Sequence, residues 1–162
     1  MDEWGRRMIS VACCVKFGCW LEHDIVYREA LQPGASALAA KLAPTDAHWS
    51  RQIIPDPVQL FRYSALTFNA HRIHYDRDFC RSEAYPGLVV HGPLIATLLI
   101  DQLRRAHPSA QVKTFEFKAI SPLFDTAPFD ICGRLDGDLA TLWARGPQGQ
   151  LALHATATLA SH

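Results

Sequence analysis

No stretch of this chain approaches the ~18 uninterrupted apolar residues that a helix needs to cross a bilayer, and neither charge predominates, with 16 basic residues set against 16 acidic ones. The first absence argues against a helical membrane span, and a soluble, cytoplasmic protein is the expectation. The second, together with the lack of any basic run, removes nucleic acid and anionic membrane surfaces from the expected partners. Cysteine is sparse and irregular: Cys13, Cys14, Cys19, Cys80 and Cys132 are odd in number and have no metal-ligand spacing. Free thiols in a reducing compartment fit that pattern better than disulfides do. There is no internal repeat, and low complexity is confined to the Ala-, Pro- and Gly-rich residues 31–45. Arg6-Arg7 followed by MISVACCVKFGCW has the outline of a secretory signal. Lys16 interrupts its apolar run and acidic residues precede it, so it is not read as one.

The composition that remains is 49% hydrophobic, and the length of 162 residues suits one well-packed domain. Residues 1–47 read as a leader and linker with one short strand at 23–29 (HDIVYRE), and residues 48–162 as a single domain. A strand at 49–54 ends at Pro55 and Pro57, neither of which can donate to a ladder. Asp56 sits where an N-cap belongs and Pro57 at the first helical position. This predicts a helix over 57–66 with Val58, Phe61 and Ala65 turned inward. A polar turn at 69–76 and a connecting stretch at 79–85 lead to the strongest element. There Gly92 is the expected N-cap and Pro93 the first helical residue. Leu94, Ile95, Ala96, Leu98, Leu99, Ile100 and Leu103 then make the helix apolar on nearly every side until Pro108 stops it. Such a helix must be wrapped by other structure, with Asp101 and Arg105 paired on its solvent side. Alternation predicts strands over 111–120, 129–135, 139–145 and 151–159, with a hairpin signal at Asp136-Gly137. One long buried helix followed by antiparallel strands implies an α+β architecture.

Chemistry is concentrated in residues 63–92. His71, Arg72, His74, Tyr75, Asp76 and Arg77 fall within seven positions, and His91-Gly92 opens the apolar helix. A helix N-terminus offers free N–H groups and partial positive charge, which suits a developing oxyanion. A nearby histidine can act as acid or base near neutral pH. Together they describe a site where a carbonyl is polarised while a proton moves. His71, His74 and Asp76 are also metal-ligand types, but no further ligand stands at a usual spacing, so no metal is expected. His91 is read as a group that caps or hydrogen-bonds at the helix start, His154 as structural, Cys80 as a bystander thiol, and Tyr63 and Tyr85 as packing aromatics.

The segments LFRYSALTFNAHRIHYDRDFC and YPGLVVHGPLIATLL resemble the MaoC-like hydratase/dehydratase family of the hot-dog fold, nearest its mesaconyl- and itaconyl-CoA hydratase-like branch. The resemblance spans residues 49–159 and implies an antiparallel sheet wrapped around one long central helix. It implies water addition to an α,β-unsaturated acyl-CoA, a branched dicarboxylic one such as mesaconyl- or itaconyl-CoA in the nearest branch, with the coenzyme A thioester as substrate and no other cofactor. His74 matches the family's catalytic histidine. The family's catalytic Asp, five residues earlier, is replaced by Asn69, which can orient water but cannot take its proton. The base role then falls to His74, alone or helped by His71 or Asp76. Gly92 would let the thioester approach a backbone N–H. Arg72 would bind a free carboxylate of the acyl group and Arg77 the phosphates of CoA, either of them being equally readable as a surface ion-pair arginine, and His71, Tyr75 and His91 would complete the substrate site. Asn69 keeps an acyl-CoA thioesterase open as an alternative, and the missing Asp keeps open a catalytically silent acyl-binding subunit. Members of this branch often carry two hot-dog units in one chain, and this sequence matches the later one. A homodimer joined edge to edge, or a heterodimer with a second hot-dog subunit, is therefore expected.

Overall fold

The computed structural model describes residues 7–15, 19–27 and 40–160 of the chain. The chain divides into two compact units, Met1–Leu38 and Ala39–His162. In the first, β1 (Arg7–Val15) pairs antiparallel with β2 (Cys19–Tyr27), running from Arg7 opposite Tyr27 to Val15 opposite Cys19. The strand expected at 23–29 is the second half of β2, and Arg28 and Glu29 lie outside the described residues. β1 was not expected, because RMISVACCV mixes small and β-branched residues without polar alternation. Of the linker expected at 31–45, residues 31–39 also lie outside the described residues. The second unit begins earlier than residue 48. Leu151 N–H donates to Lys41 O at 2.7 Å and Ala43 N–H to Gly149 O at 2.9 Å, which ties this segment to the sheet.

The second unit runs β3 (Trp49–Ile53), α1 (Pro57–Thr67), a 3-10 turn (Arg72–His74), α2 (Arg77–Ser82), α3 (Gly92–Ala106), β4 (Val112–Ala119), β5 (Phe129–Asp136), β6 (Leu139–Arg145) and β7 (Leu151–Leu159). Its strands form one antiparallel sheet in the order β3-β5-β6-β7-β4. Helix α3 packs on β5, β6 and β7. Trp49 lies opposite Gly133, where a Cβ would stand 2.7 Å from both the indole ring and Leu142 Cδ2, so only glycine admits the indole. Asp136 pairs with Leu139, which leaves Gly137 and Asp138 as the hairpin loop, one residue beyond the expected pair. Gly137 takes the positive φ of 60° that this tight loop requires.

Two expectations about packing are corrected. Helix α3 buries Leu94, Ile95, Ala96, Leu99 and Leu103, while Leu98 and Ile100 are half-buried and Thr97, Arg104 and Arg105 are exposed. The sheet wraps the helix on its buried face as expected, but the helix is apolar on that face and not on nearly every side. As expected, Arg105 donates to Asp101 (2.8 Å), and Arg51 on β3 joins them at 3.1 Å. Helix α1 is capped by Asp56, which accepts from Val58 N–H at 3.0 Å, but it buries Leu60 and Ser64. Val58 and Phe61 are more than half exposed, and Ala65 is exposed too. The inward face is set by Leu60 and by a hydrogen bond from Ser64, a polar residue that a count of apolar positions passes over. Helix α2 was not expected. It exists because Asp76 Oδ1 accepts from Asp78 N–H and Phe79 N–H, both at 3.0 Å.

Candidate active site

Three segments meet at the start of α3. Helix α1 closes at Phe68, whose φ of 53° turns the chain out of the helix, and Asn69 N–H then donates to Ser64 O at 2.9 Å. Asn69 Oδ1 accepts from His71 N–H at 3.0 Å, an Asx turn that starts the polar loop. The 3-10 turn follows and carries His74 inward, leaving it 7% exposed. Residues 87–90 form the third segment. Val89 N–H donates to Ile73 O at 2.9 Å, and Val89 O accepts from His74 Nδ1 at 2.7 Å. Since a carbonyl can only accept, Nδ1 carries the hydrogen and Nε2 of the neutral ring keeps its lone pair.

His91 occupies the N-cap position of α3 and Gly92 is the first helical residue, so the helix starts one residue earlier than expected. Its side chain makes no capping bond. The ring instead stacks on His74, with centroids 3.6 Å apart and planes at 17°. Its Nε2 is 2.9 Å from Ser64 Oγ, and the Tyr63 ring meets it edge-on at 4.9 Å. His91 is 1% exposed, and its Nδ1 has no hydrogen-bond partner. Two positive charges 3.6 Å apart would repel by about 5 kcal/mol even at an effective dielectric near 20. The pair therefore carries at most one proton beyond neutrality. Burial, followed by the charge of His74, holds His91 down at about 4. Burial also lowers His74, with the Val89 carbonyl opposing and His71 adding a little.

The free donors of the first turn of α3 are few. Pro93 has no N–H, and Ile95 N–H already donates to His91 O at 3.1 Å, which leaves Gly92 and Leu94 to offer theirs. A Cβ on Gly92 would meet only Ala119 Cβ, at an ordinary 3.8 Å. Crowding within the chain does not demand a glycine there.

The remaining residues singled out in the sequence are placed differently. Asn69 has its carbonyl oxygen engaged with His71 N–H, and its Nδ2 donors are not used in that bond. Arg72 donates through Nε (3.0 Å) and Nη2 (2.7 Å) to Asp76 Oδ2, with Cζ 4.7 Å above the Phe79 ring. Its charge is thus matched within the loop. Asp76, as helix cap and ion-pair partner, has both oxygens occupied and is held below the usual carboxylate range, chiefly by Phe79 N–H and then by Arg72. It is not a helper base for His74. Arg77, half exposed, pairs with the buried Asp125 at 2.6 Å, which agrees with the ion-pair reading of this arginine. His71 is exposed and edge-on to His74 at 5.9 Å. Tyr75 OH donates to Ala70 O at 2.9 Å and the ring meets Phe61 edge-on at 6.4 Å. Cys80 is buried, its Sγ is 3.1 Å from Ile73 O, and burial raises its pKa, as suits a bystander.

Two residues escaped the sequence reading. Ser64 falls four residues after Leu60 on the buried stripe of α1, and a polar side chain in that register is the signal that could have found it. Asp125, with its side chain 1% exposed, accepts from Leu88 N–H (2.8 Å) and from Arg77, and so braces the strand-like lead that holds Val89. Gly87 leaves room for it, since a Cβ there would lie 2.6 Å from Asp125 Oδ1. Among the described residues no group of three or more His, Cys, Asp or Glu could hold a metal ion, and no helix is long and apolar enough to cross a membrane.

A sheet with one long helix laid across it, and a buried histidine at that helix's amino end, defines the hot-dog fold of MaoC-like hydratases. Solved structures agree on the fold: the (R)-hydratase of A. caviae (TM-score 0.61, 19% identity, 77% of this chain and 97% of that one) and the MaoC-like dehydratase of Phytophthora capsici (TM-score 0.63, 14% identity, 78% and 45%). A third is the ChsH1–ChsH2 complex of Mycobacterium tuberculosis (TM-score 0.60, 17% identity, 78% and 100%). More particularly, residues 18–125 match the model of hydroxyacyl-thioester dehydratase type 2, and the chain belongs to that family. It is 51% identical over 139 residues to the mesaconyl-C(4)-CoA hydratase of Chloroflexus aurantiacus, covering 85% of this chain and 49% of that protein. It is 44% identical over 88 residues to the mitochondrial hydroxyacyl-thioester dehydratase type 2 of Schizosaccharomyces pombe, covering 52% of this chain and 29% of that protein. The chain spans about half the length, or less, of these curated relatives.

Proposed function

We propose that the chain adds water across the double bond of an α,β-unsaturated acyl-CoA and catalyses the reverse dehydration. A branched dicarboxylic acyl group of the mesaconyl or itaconyl type is the preferred substrate, in line with the 51% identity to a mesaconyl-C(4)-CoA hydratase. The observation that carries the reading is the state of His74: buried, its Nδ1–H committed to Val89 O, its Nε2 left basic, at the amino end of α3. Water held between Nε2 of His74 and Nδ2 of Asn69 gives its proton to His74 as its oxygen bonds to the β-carbon. Negative charge moves onto the thioester oxygen, where the Gly92 N–H at the helix start stabilises it. His74 then returns the proton to the α-carbon, so the cycle closes with water added and the ring neutral. This needs no cofactor beyond the coenzyme A of the substrate, and a cytoplasmic location fits it.

Arg72, matched by Asp76, would have to exchange partners to receive a substrate carboxylate. Assembly follows from the sheet: β4 is an edge strand with Phe117 39% exposed, and it suits pairing with a second hot-dog unit, either another copy or a separate subunit. Incubation with crotonyl-, mesaconyl- and itaconyl-CoA tests the function. Loss of enoyl absorbance without thiol release is expected. Release of free thiol would mean a thioesterase, and binding without either change a silent acyl-binding subunit.

A further inference from the structure

Ser64 and His91 have no assigned part in the chemistry above, yet they are among the few buried polar side chains of the second unit, at 5% and 1% exposure. A buried hydroxyl on the core stripe of a helix is costly unless it is bonded. The Ser64 hydroxyl meets His91 Nε2 at 2.9 Å. For His91 that bond matters more, because its Nδ1 has no partner and Ser64 is what orients the ring. The face of the ring so fixed lies 3.6 Å from His74, nearly parallel to it. His74 is then held at its edge by Val89 O and on its face by His91.

We propose that Ser64 and His91 are positioning residues for His74. The hydroxyl fixes the His91 ring, that ring fixes the plane of His74, and the pair leaves His74 as the imidazole whose bare nitrogen takes the proton. Without Ser64, no hydrogen bond sets the rotation of the His91 ring, which keeps only its stacking on His74 and its edge contact with Tyr63, and the two imidazoles then titrate as a coupled pair. The same bond joins α1 to the start of α3, so it also sets the distance between the loop that bears His74 and the helix end that receives the thioester oxygen.

The kinetic arm of the test rests on the hydratase reading, and a spectroscopic arm does not. In the full chain, Ser64→Ala should lower kcat about tenfold and leave KM within about twofold, as expected when geometry of the reacting group is lost and binding is kept. Ser64→Thr, which returns the hydroxyl, should recover most of the rate. Two-bond ¹H–¹⁵N spectra of the ring nitrogens, with His74 assigned through His74→Ala, should show one Nδ1–H tautomer in the wild type. They should show a tautomer mixture in Ser64→Ala and in His91→Gln, the second variant serving if the first does not fold. If the wild-type chain hydrates none of the enoyl thioesters, the function fails while the spectra still decide the positioning. A His74 tautomer unchanged in the folded variants, or a Ser64→Ala enzyme within about twofold of the wild-type kcat, would overturn it.

Discussion

The loop surface and the histidine pair behind it are a few ångströms apart and work on opposite principles. In the loop, the exposed Arg72 is answered by Asp76 and the exposed Arg77 by the buried Asp125, and these charges shape the loop by capping α2 and bracing residues 87–90. Behind it, Ser64, His74 and His91 are uncharged, buried and held by short-range bonds and stacking. The difference teaches that density of charge marked the neighbourhood of the site, whereas the groups able to move a proton are the neutral ones that burial keeps neutral.

The sharpest way to break this contrast is to remove the interior group. His74→Ala should lower the hydration rate by about a thousandfold, within the usual range for a lost general acid–base group. Its circular dichroism should stay that of the wild type, and a rate within threefold would end the proposed role.

Acid probes the same interior from the side of stability. His91 has its pKa lowered from 6.5 to about 4 in the folded chain, so the unfolded chain binds more protons between those values. Stability is therefore fully present above about pH 6.5, falls as pH drops, and has lost this contribution, roughly 3 kcal/mol, below about pH 4. Urea midpoints measured across that range check it, and the fall should be smaller in His91→Phe, which keeps only the part due to the lowered pKa of His74. For turnover, burial lowers His74 below its ordinary 6.5, so the acid limb of kcat/KM should lie below that pH.

The outer brace should matter less for chemistry and more for folding. Asp125→Ala strands Leu88 N–H and Arg77, and should cost about 2 kcal/mol, read as a lower thermal midpoint. The smallest effect is expected at Arg72, whose pair with Asp76 is largely exposed. Arg72→Ala should leave the thermal midpoint and crotonyl-CoA turnover near wild type. A selective rise in KM for mesaconyl-CoA would show instead that Arg72 leaves Asp76 to bind a carboxylate.

Much of the fold was legible because its signals are local. The alternation in β5, β6 and β7, the Asp56-Pro57 start of α1 and the apolar repeat of α3 each predict an element from neighbouring residues alone. Facing directions were harder. Val58 and Phe61 looked like the core face of α1, and the chain turned them outward because Leu60 and Ser64 are the residues met by the body of the unit. In the site, His74 and His91 stood out as residue types. The role of Ser64 and the brace from Asp125 did not, since the bonds that reveal them cross 27 and 37 positions of sequence.

By itself the sequence determined most of the elements, β1 and α2 excepted, and the residue types near the helix start, because caps, prolines and apolar spacing act over a few residues. Tertiary structure alone decided that two histidines 17 positions apart would stack, and that a serine on a third segment would hold one of them. The physical reason is that stacking and buried hydrogen bonds need atoms within about 4 Å, and only the packing of α1, the 3-10 turn and α3 onto one another brings those atoms together.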